Sequence, residues 1–346
     1  MFPYVILLTL VALMMGACNA HRKFGTPALG GVVLNLTVIV WGCGALWYGK
    51  KSDQNAMVIG LCWAVMAGAV LRVALMVPTL WRAGWRWRPV LTLRDRELLR
   101  LLNMMGLAVL TMFISQINIM VSNQFAMYMG AGIKTSLVFS QRLIQFPMAL
   151  TATAVATGML PQLTAYLLEN RGRELRDLMA FTKRLEMVLI NPAMVGLIVF
   201  GAPILQLIYE HGRWTPQATR DAYVALLFYA PGLLPQGWMR LLIPLFYARK
   251  DLVTPLKAAL IGMVANVLLN WLFAMYTPMR QGGLALANTL ATFVNYGALA
   301  WYLRRDVGAE EQGEHPRIGE TFWKSMLAAA ITSAAGWWMY GGLTGW

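Results

Sequence analysis

Acidic residues are scarce in this chain: its 346 residues hold 15 Asp and Glu against 29 Lys and Arg, with only 3 His and 3 Cys. His21, His211 and His315 are far apart and lack metal-ligand spacing, so no metal centre is expected. Cys18, Cys43 and Cys62 all fall in apolar stretches, where a cysteine acts as a small packing residue, and no disulfide framework follows. There is no Gly-x-Ser-x-Gly elbow and no phosphate loop. These absences argue against an enzyme and against a bound cofactor.

What the chain has in abundance is apolar sequence. Hydrophobic residues make up 58% and charged residues 13%, and the mean hydropathy is +0.56. A soluble domain is far more polar, so the chain reads as an integral membrane protein. Ten apolar runs fall near 3–19, 28–48, 56–79, 104–128, 136–160, 187–209, 222–247, 255–276, 283–302 and 322–342. They are too long for barrel strands of about 9 to 11 residues, so the expected fold class is an all-α polytopic membrane protein with about ten transmembrane helices. Pro147, Pro192, Pro203, Pro231, Pro235 and Pro244 lie within the runs, as the broken helices of transporters allow.

The charges sit between the runs, and they alternate. The first, third, fifth, seventh and ninth loops hold eighteen lysines and arginines, the other four only six. Positive loops stay cytoplasmic, which places both Met1 and Trp346 outside. The same rule absorbs most of the +14 net charge, so no nucleic-acid partner is expected. The segment 81–102, WRAGWRWRPVLTLRDRELLRLL, reads either as an interfacial stretch whose arginines meet anionic membrane lipids or as a plain cytoplasmic connector. The first eighteen residues resemble a signal peptide ending in a lipoprotein-like MGAC, but no basic region precedes them. A span that starts outside without an anchor suggests upstream helices that this chain does not include.

Within the spans the notable side chains are cations: Arg142 in the fifth, Arg240 in the seventh and Arg72 in the third. The nearest acid, Glu186, falls at the mouth of the sixth, so a carboxylate relay through the bilayer is not expected. A central arginine costs roughly 2.5–3.5 kcal/mol on insertion scales, so each should face an anion, a cavity or a carbonyl. One reading is a phosphate or pyrophosphate ligand held by the guanidinium fork. The other is snorkelling, or bonding to carbonyls freed by nearby prolines. The ligand reading fits Arg142 better, and snorkelling fits Arg72 and Arg240 better. Ser140, Gln141 and Asn123 are the polar neighbours expected to share a ligand with Arg142, and Pro147 is the expected hinge of its span.

A repeat is visible as well. HRKFGTPALGGVVLN at 21–35 and ARKDLVTPLKAALIGMVANVLLN at 248–270 each place a basic loop and then Thr-Pro at the start of a span. Proline in a first helical turn is ordinary helix-start grammar. Two copies entering from the same side also suit a parallel repeat, with a substrate pathway between halves.

At this point the residues resemble the MurJ (MviN) lipid II flippases of the MOP exporter superfamily. FYARKDLVTP at 246–255, LIYEHGRWT at 207–215, SQRLIQFPMALTATAVATGMLPQL at 140–163 and NAHRKFGTPALGGVVLN at 19–35 are similar to that family's segments, in the same order. The resemblance implies a partial two-lobe fold cut from fourteen helices, truncated at both ends. Residues 1–80 would form part of the N-terminal lobe, 81–103 a connector, 104–302 a six-helix lobe, and 303–346 a loop plus one extra helix.

It also implies a multi-pass protein of the bacterial inner membrane that moves lipid II, the undecaprenyl-pyrophosphate-linked peptidoglycan precursor, to the outer leaflet by alternating access. Arg142 falls on the family's cavity arginine, flanked here by Gln141 and Gln145 in place of acids. Ser122 stands where many members carry an aspartate, leaving Ser122, Asn266, Asn270 and Thr289 as candidate sodium ligands, or as plain helix contacts. Coupling to sodium or to membrane potential stays open. The alternatives are a flippase for another lipid-linked oligosaccharide, a transport-dead fragment and a polytopic glycan ligase, the last of which would need larger outer loops than these.

Overall fold

The computed structural model describes residues 2–21, 23, 25–48, 54–85, 96–130, 132–212, 214–307 and 317–344. Twelve α-helices appear among them: α1 Phe2–Ala20, α2 Gly25–Tyr48, α3 Gln54–Arg82, α4 Arg96–Tyr128, α5 Ile133–Leu150, α6 Ala152–Leu168, α7 Gly172–Tyr209, α8 Pro216–Tyr229, α9 Leu233–Ala248, α10 Val253–Tyr276, α11 Gln281–Val307 and α12 Arg317–Thr344. The ten apolar runs map onto them in order. The fifth run is shared by α5 and α6, and the seventh by α8 and α9, which are joined by a 3₁₀ turn at Ala230–Gly232 containing Pro231. Four stretches are long and apolar enough to cross a bilayer: Gly25–Ala45, Ala56–Arg82, Gly172–Tyr209 and Val253–Tyr276; the α5–α6 pair forms a bent fifth.

Local sequence explains several helix starts. Gly132 precedes α5 in a left-handed conformation, φ 88°, where a side chain would be strained. Thr215 accepts from the backbone N–H of Ala218 ahead of Pro216, the first residue of α8, as a capping residue should. Asp251 Oδ1 accepts from the N–H groups of Val253 and Thr254, each at 3.0 Å, at the start of α10.

The bend of the fifth span is not where the sequence suggested. α5 runs straight through Pro147 to Leu150, and the Pro147 carbonyl accepts both the N–H and the hydroxyl of Thr151. The 42° bend separates Ile133–Ala156 from Gly158–Leu168. Pro161 lies four residues beyond Thr157, and a proline ring clashes with the carbonyl four residues back. A glycine at 158, with open space where its Cβ would be, gives way easily.

Two compact units divide the chain, 1–93 and 94–346. In the first, α3 packs on α1 and α2 around Val11, Met14, Cys18, Met76 and Leu80. In the second, α5, α7, α8 and α11 enclose a larger core that includes Leu205, Leu226, Leu233 and Ala285, while α10 pairs with α4 and α11, and α12 with α7. The expected connector 81–103 is helical at both its ends, within α3 and α4. Residues 86–95 of it, and 308–316 of the last loop, lie outside the described residues.

Candidate functional site

Arg142 is exposed on α5. Its Cζ lies 5.5 Å from the centroid of the Phe139 ring, one turn back, and it makes no ion pair among the described residues. Gln141 and Gln145 are exposed on the same helix. Ser140 is different: it is fully buried, and its hydroxyl reaches the Ser136 carbonyl at 2.7 Å and the Ala222 carbonyl of α8. A hydroxyl with one proton and two carbonyls competing for it is a helix-packing contact, with no proton left to donate to an anionic ligand. Asn123 is half-buried on α4.

The other two span arginines have company. Arg72, in the first unit, lies against Gly30 of α2, close enough that a Cβ there would sit 3.1 Å from its Nε; that Nε is buried without a partner. Arg240 on α9 has Glu186 of α7 as an electrostatic neighbour, along with Lys183. Glu186 is the functional-looking residue that sequence reading misplaced. It is not at a helix mouth, because α7 starts at Gly172 and Glu186 is fully buried.

Neither carboxylate oxygen of Glu186 has a hydrogen-bond partner. Gly237 makes this packing possible: a Cβ there would be 2.9 Å from Ile190 Cδ1 and 3.4 Å from Glu186 Oε2. Lys183 Nζ sits 6.0 Å from the Trp238 ring and 5.7 Å from the Tyr296 ring, within cation–π range. The result is a cluster of a buried carboxylate, a half-buried lysine and two half-buried rings shared by α7, α9 and α11, with the exposed Arg240 beside it. Charged side chains grouped as KRLE at 183–186 read as a solvated edge; only burial reveals otherwise.

The four candidate ion ligands do not converge. Ser122 donates to Asn266 Oδ1 at 3.0 Å, and Asn270 Nδ2 donates to Asn266 Oδ1 at 2.7 Å and to Ser122 Oγ at 3.2 Å. Thr289 instead donates to the Phe228 carbonyl, 2.7 Å away. The triad is neutral: Ser122 Oγ and Asn266 Oδ1 bond within it, while Asn270 Oδ1 is a single buried oxygen with no partner. A hard cation asks for several oxygens and usually a carboxylate, so these residues do not fit sodium; they join α4 to α10.

Comparison with known proteins agrees with this architecture. The family model described as lipid II flippase MurJ matches residues 1–345. A probable lipid II flippase MurJ of Vibrio cholerae serotype O1 is 30% identical over 340 residues, which cover 97% of this chain and 62% of that protein. One from Rhizobium meliloti is 31% identical over 346 residues, covering 97% of this chain and 61% of that protein. The chain thus spans about three-fifths of the length of these relatives.

Among solved structures, lipid II flippase MurJ in an inward closed conformation superposes with a TM-score of 0.72 at 22% identity, over 97% of this chain and 66% of that one. An inward-facing multidrug resistance MATE transporter of the MOP superfamily gives 0.70 at 15% identity, over 88% and 69%. At these identities the likeness is one of fold. With a family match running from the first residue to the last but one, the chain belongs to the MurJ lipid II flippase family.

Proposed function

We propose that this chain works as a transporter, not an enzyme, that carries lipid II across the bacterial inner membrane, with Arg142 meeting the pyrophosphate. One observation carries this reading: Arg142 lies in a membrane-crossing sequence, is exposed, and has no carboxylate paired to it among the described residues. A guanidinium so placed is stabilised by an anion that arrives with the substrate. Arg72 and Arg240, which pack against Gly30 and near Glu186, serve structure first. The loop charges favour both termini outside. The neutral Ser122–Asn266–Asn270 triad favours a transport cycle driven without sodium at that place, by membrane potential acting on the substrate's charge.

The test uses a form of the protein carrying the whole family length, with Arg142→Ala and Arg142→Lys compared in a lipid II accessibility assay. Arg142→Ala is expected to abolish translocation, and Arg142→Lys to impair it, because lysine cannot make the bidentate contact. Unchanged translocation in Arg142→Ala overturns the pyrophosphate role. Replacing sodium by potassium in the same assay is expected to change nothing.

A further inference from the structure

One turn from Arg142, the second unit contains a cavity that the pyrophosphate reading does not use. It lies between the first turns of α5, the end of α7 and the first turns of α8, and has a volume of about 610 Å³, inside the roughly 300–1,000 Å³ range of small-molecule sites. Three rings line it. Phe139 stands edge-on to Tyr209, with centroids 4.6 Å apart, and to Trp214, at 4.8 Å.

The polar side of the cavity is held in place. Trp214 Nε1–H donates to Thr219 Oγ1 at 2.8 Å, and that hydroxyl donates to Glu210 Oε2 at 2.8 Å, which fixes the indole. Asp221 Oδ1 accepts the amides of Gln217 at 3.1 Å and Gln281 at 2.9 Å, which fixes the carboxylate on the wall. Among the described lining residues there is one carboxylate, Asp221, one imidazole, His211, and no lysine or arginine. Such a lining does not suit a phosphate. It suits a neutral ligand with an apolar face and many hydroxyls: carbon-bound hydrogens lie on the rings, and hydroxyls bond to a carboxylate, an amide and the Thr135 hydroxyl.

We propose that this cavity is a saccharide subsite that takes a sugar ring of the lipid-linked headgroup, next to the phosphate held at Arg142. The Phe139 ring joins the two, since it lines the cavity and carries the Arg142 guanidinium on its other contact. The proposal rests on the reading of Arg142 as the pyrophosphate contact, and it adds which part of the headgroup α5, α7 and α8 recognise.

The experiment measures binding of two probes to the purified chain in lipid nanodiscs: lipid II, and undecaprenyl pyrophosphate, which has no sugar. Trp214→Ala is expected to weaken lipid II by about tenfold and leave undecaprenyl pyrophosphate unchanged. Gln217→Ala, an exposed position that folding tolerates, is expected to weaken lipid II alone by about threefold. If Trp214→Ala aggregates, Gln217→Ala decides. Equal loss for both probes, or wild-type binding of lipid II by both variants, overturns the subsite. Arg142→Ala is the separate arm: it should weaken both probes, and if it weakens neither, the pyrophosphate reading falls whatever the cavity variants do.

Discussion

α2 and α10 are each 24 residues long, and each opens with Thr-Pro one residue inside the helix, but the two units fasten these copies differently. In the first unit Thr26 Oγ1 pairs sideways with Thr79 Oγ1 of α3 at 3.0 Å, and Gly30 receives the long, swinging side chain of Arg72. In the second, Asp251 caps the helix start, Asn266 and Asn270 bond across to α4, and Gly237 brings α9 against the buried Ile190 and Glu186 of α7. Close glycine contacts occur in the first unit too, at Gly60 and Gly68, so the contrast lies at these particular positions: a long arginine side chain against Gly30, and a capped helix, buried amides and a buried carboxylate in the second unit. The second should be the less forgiving.

The sharpest way to break that contrast is Glu186→Lys. It would place a third cation beside Lys183 and Arg240 in a fully buried position, and an uncompensated buried charge costs about 3–5 kcal/mol. The variant should lose its monodisperse elution peak in detergent and its cooperative melt. A parental melting curve would show that the cluster is open to water and that the second unit is not tightly built.

Next in size is a matched pair of glycine substitutions. Gly237→Ala presses a methyl to 2.9 Å from Cδ1 of the buried Ile190, and overpacking of this kind costs about 1–3 kcal/mol. Gly30→Ala meets a guanidinium that can swing aside, so it should be neutral or gain up to about 1 kcal/mol of helix propensity. Thermal unfolding followed by tryptophan emission separates the two. If both variants melt lower by the same amount, the proposed difference between units is gone.

Much of this was legible from sequence because the bilayer enforces it. Ten apolar runs had to be helices, since an unpaired backbone in lipid is too costly, and all ten became helices. Arg142 stood out because a cation in an apolar run is conspicuous on its own. What could not be read depends on helix rotation and long-range contact. Ser140 sits two residues from Arg142, yet a turn of about 100° per residue carries it into the α5–α8 seam. Pro147 and Pro161 look alike in sequence, but only the second has a glycine beside the carbonyl it displaces. Glu186 looked like the edge of a span because the residues before it are charged, while in the structure it is buried with Gly237 of α9 packed against it.

A smaller effect tests the cap. Asp251 serves two first-turn donors of α10, and the corresponding basic loop of the first unit, HRKFGTP, has no acid to do the same. Asp251→Ala should lower stability by about 1 kcal/mol, read as a lower melting temperature with an unchanged elution volume. No change would mean that packing against α4 and α11 alone sets the start of this helix.

The smallest expected effect is in the first unit. Thr26→Val removes one hydroxyl of the Thr26–Thr79 pair and keeps the shape, and interhelical hydrogen bonds in membrane proteins average only about 0.6 kcal/mol. A threonine well inside a helix can bond to the carbonyl one turn back, so the Thr79 hydroxyl can turn onto its own helix and recover part of that. The melt of Thr26→Val should therefore fall by less than that of Asp251→Ala, and the double variant Thr26→Val/Thr79→Val should fall no further than the single. A double variant that melts far lower would mean the hydroxyl pair is a principal tie between α2 and α3, and the first unit would then resemble the second in resting on specific polar contacts.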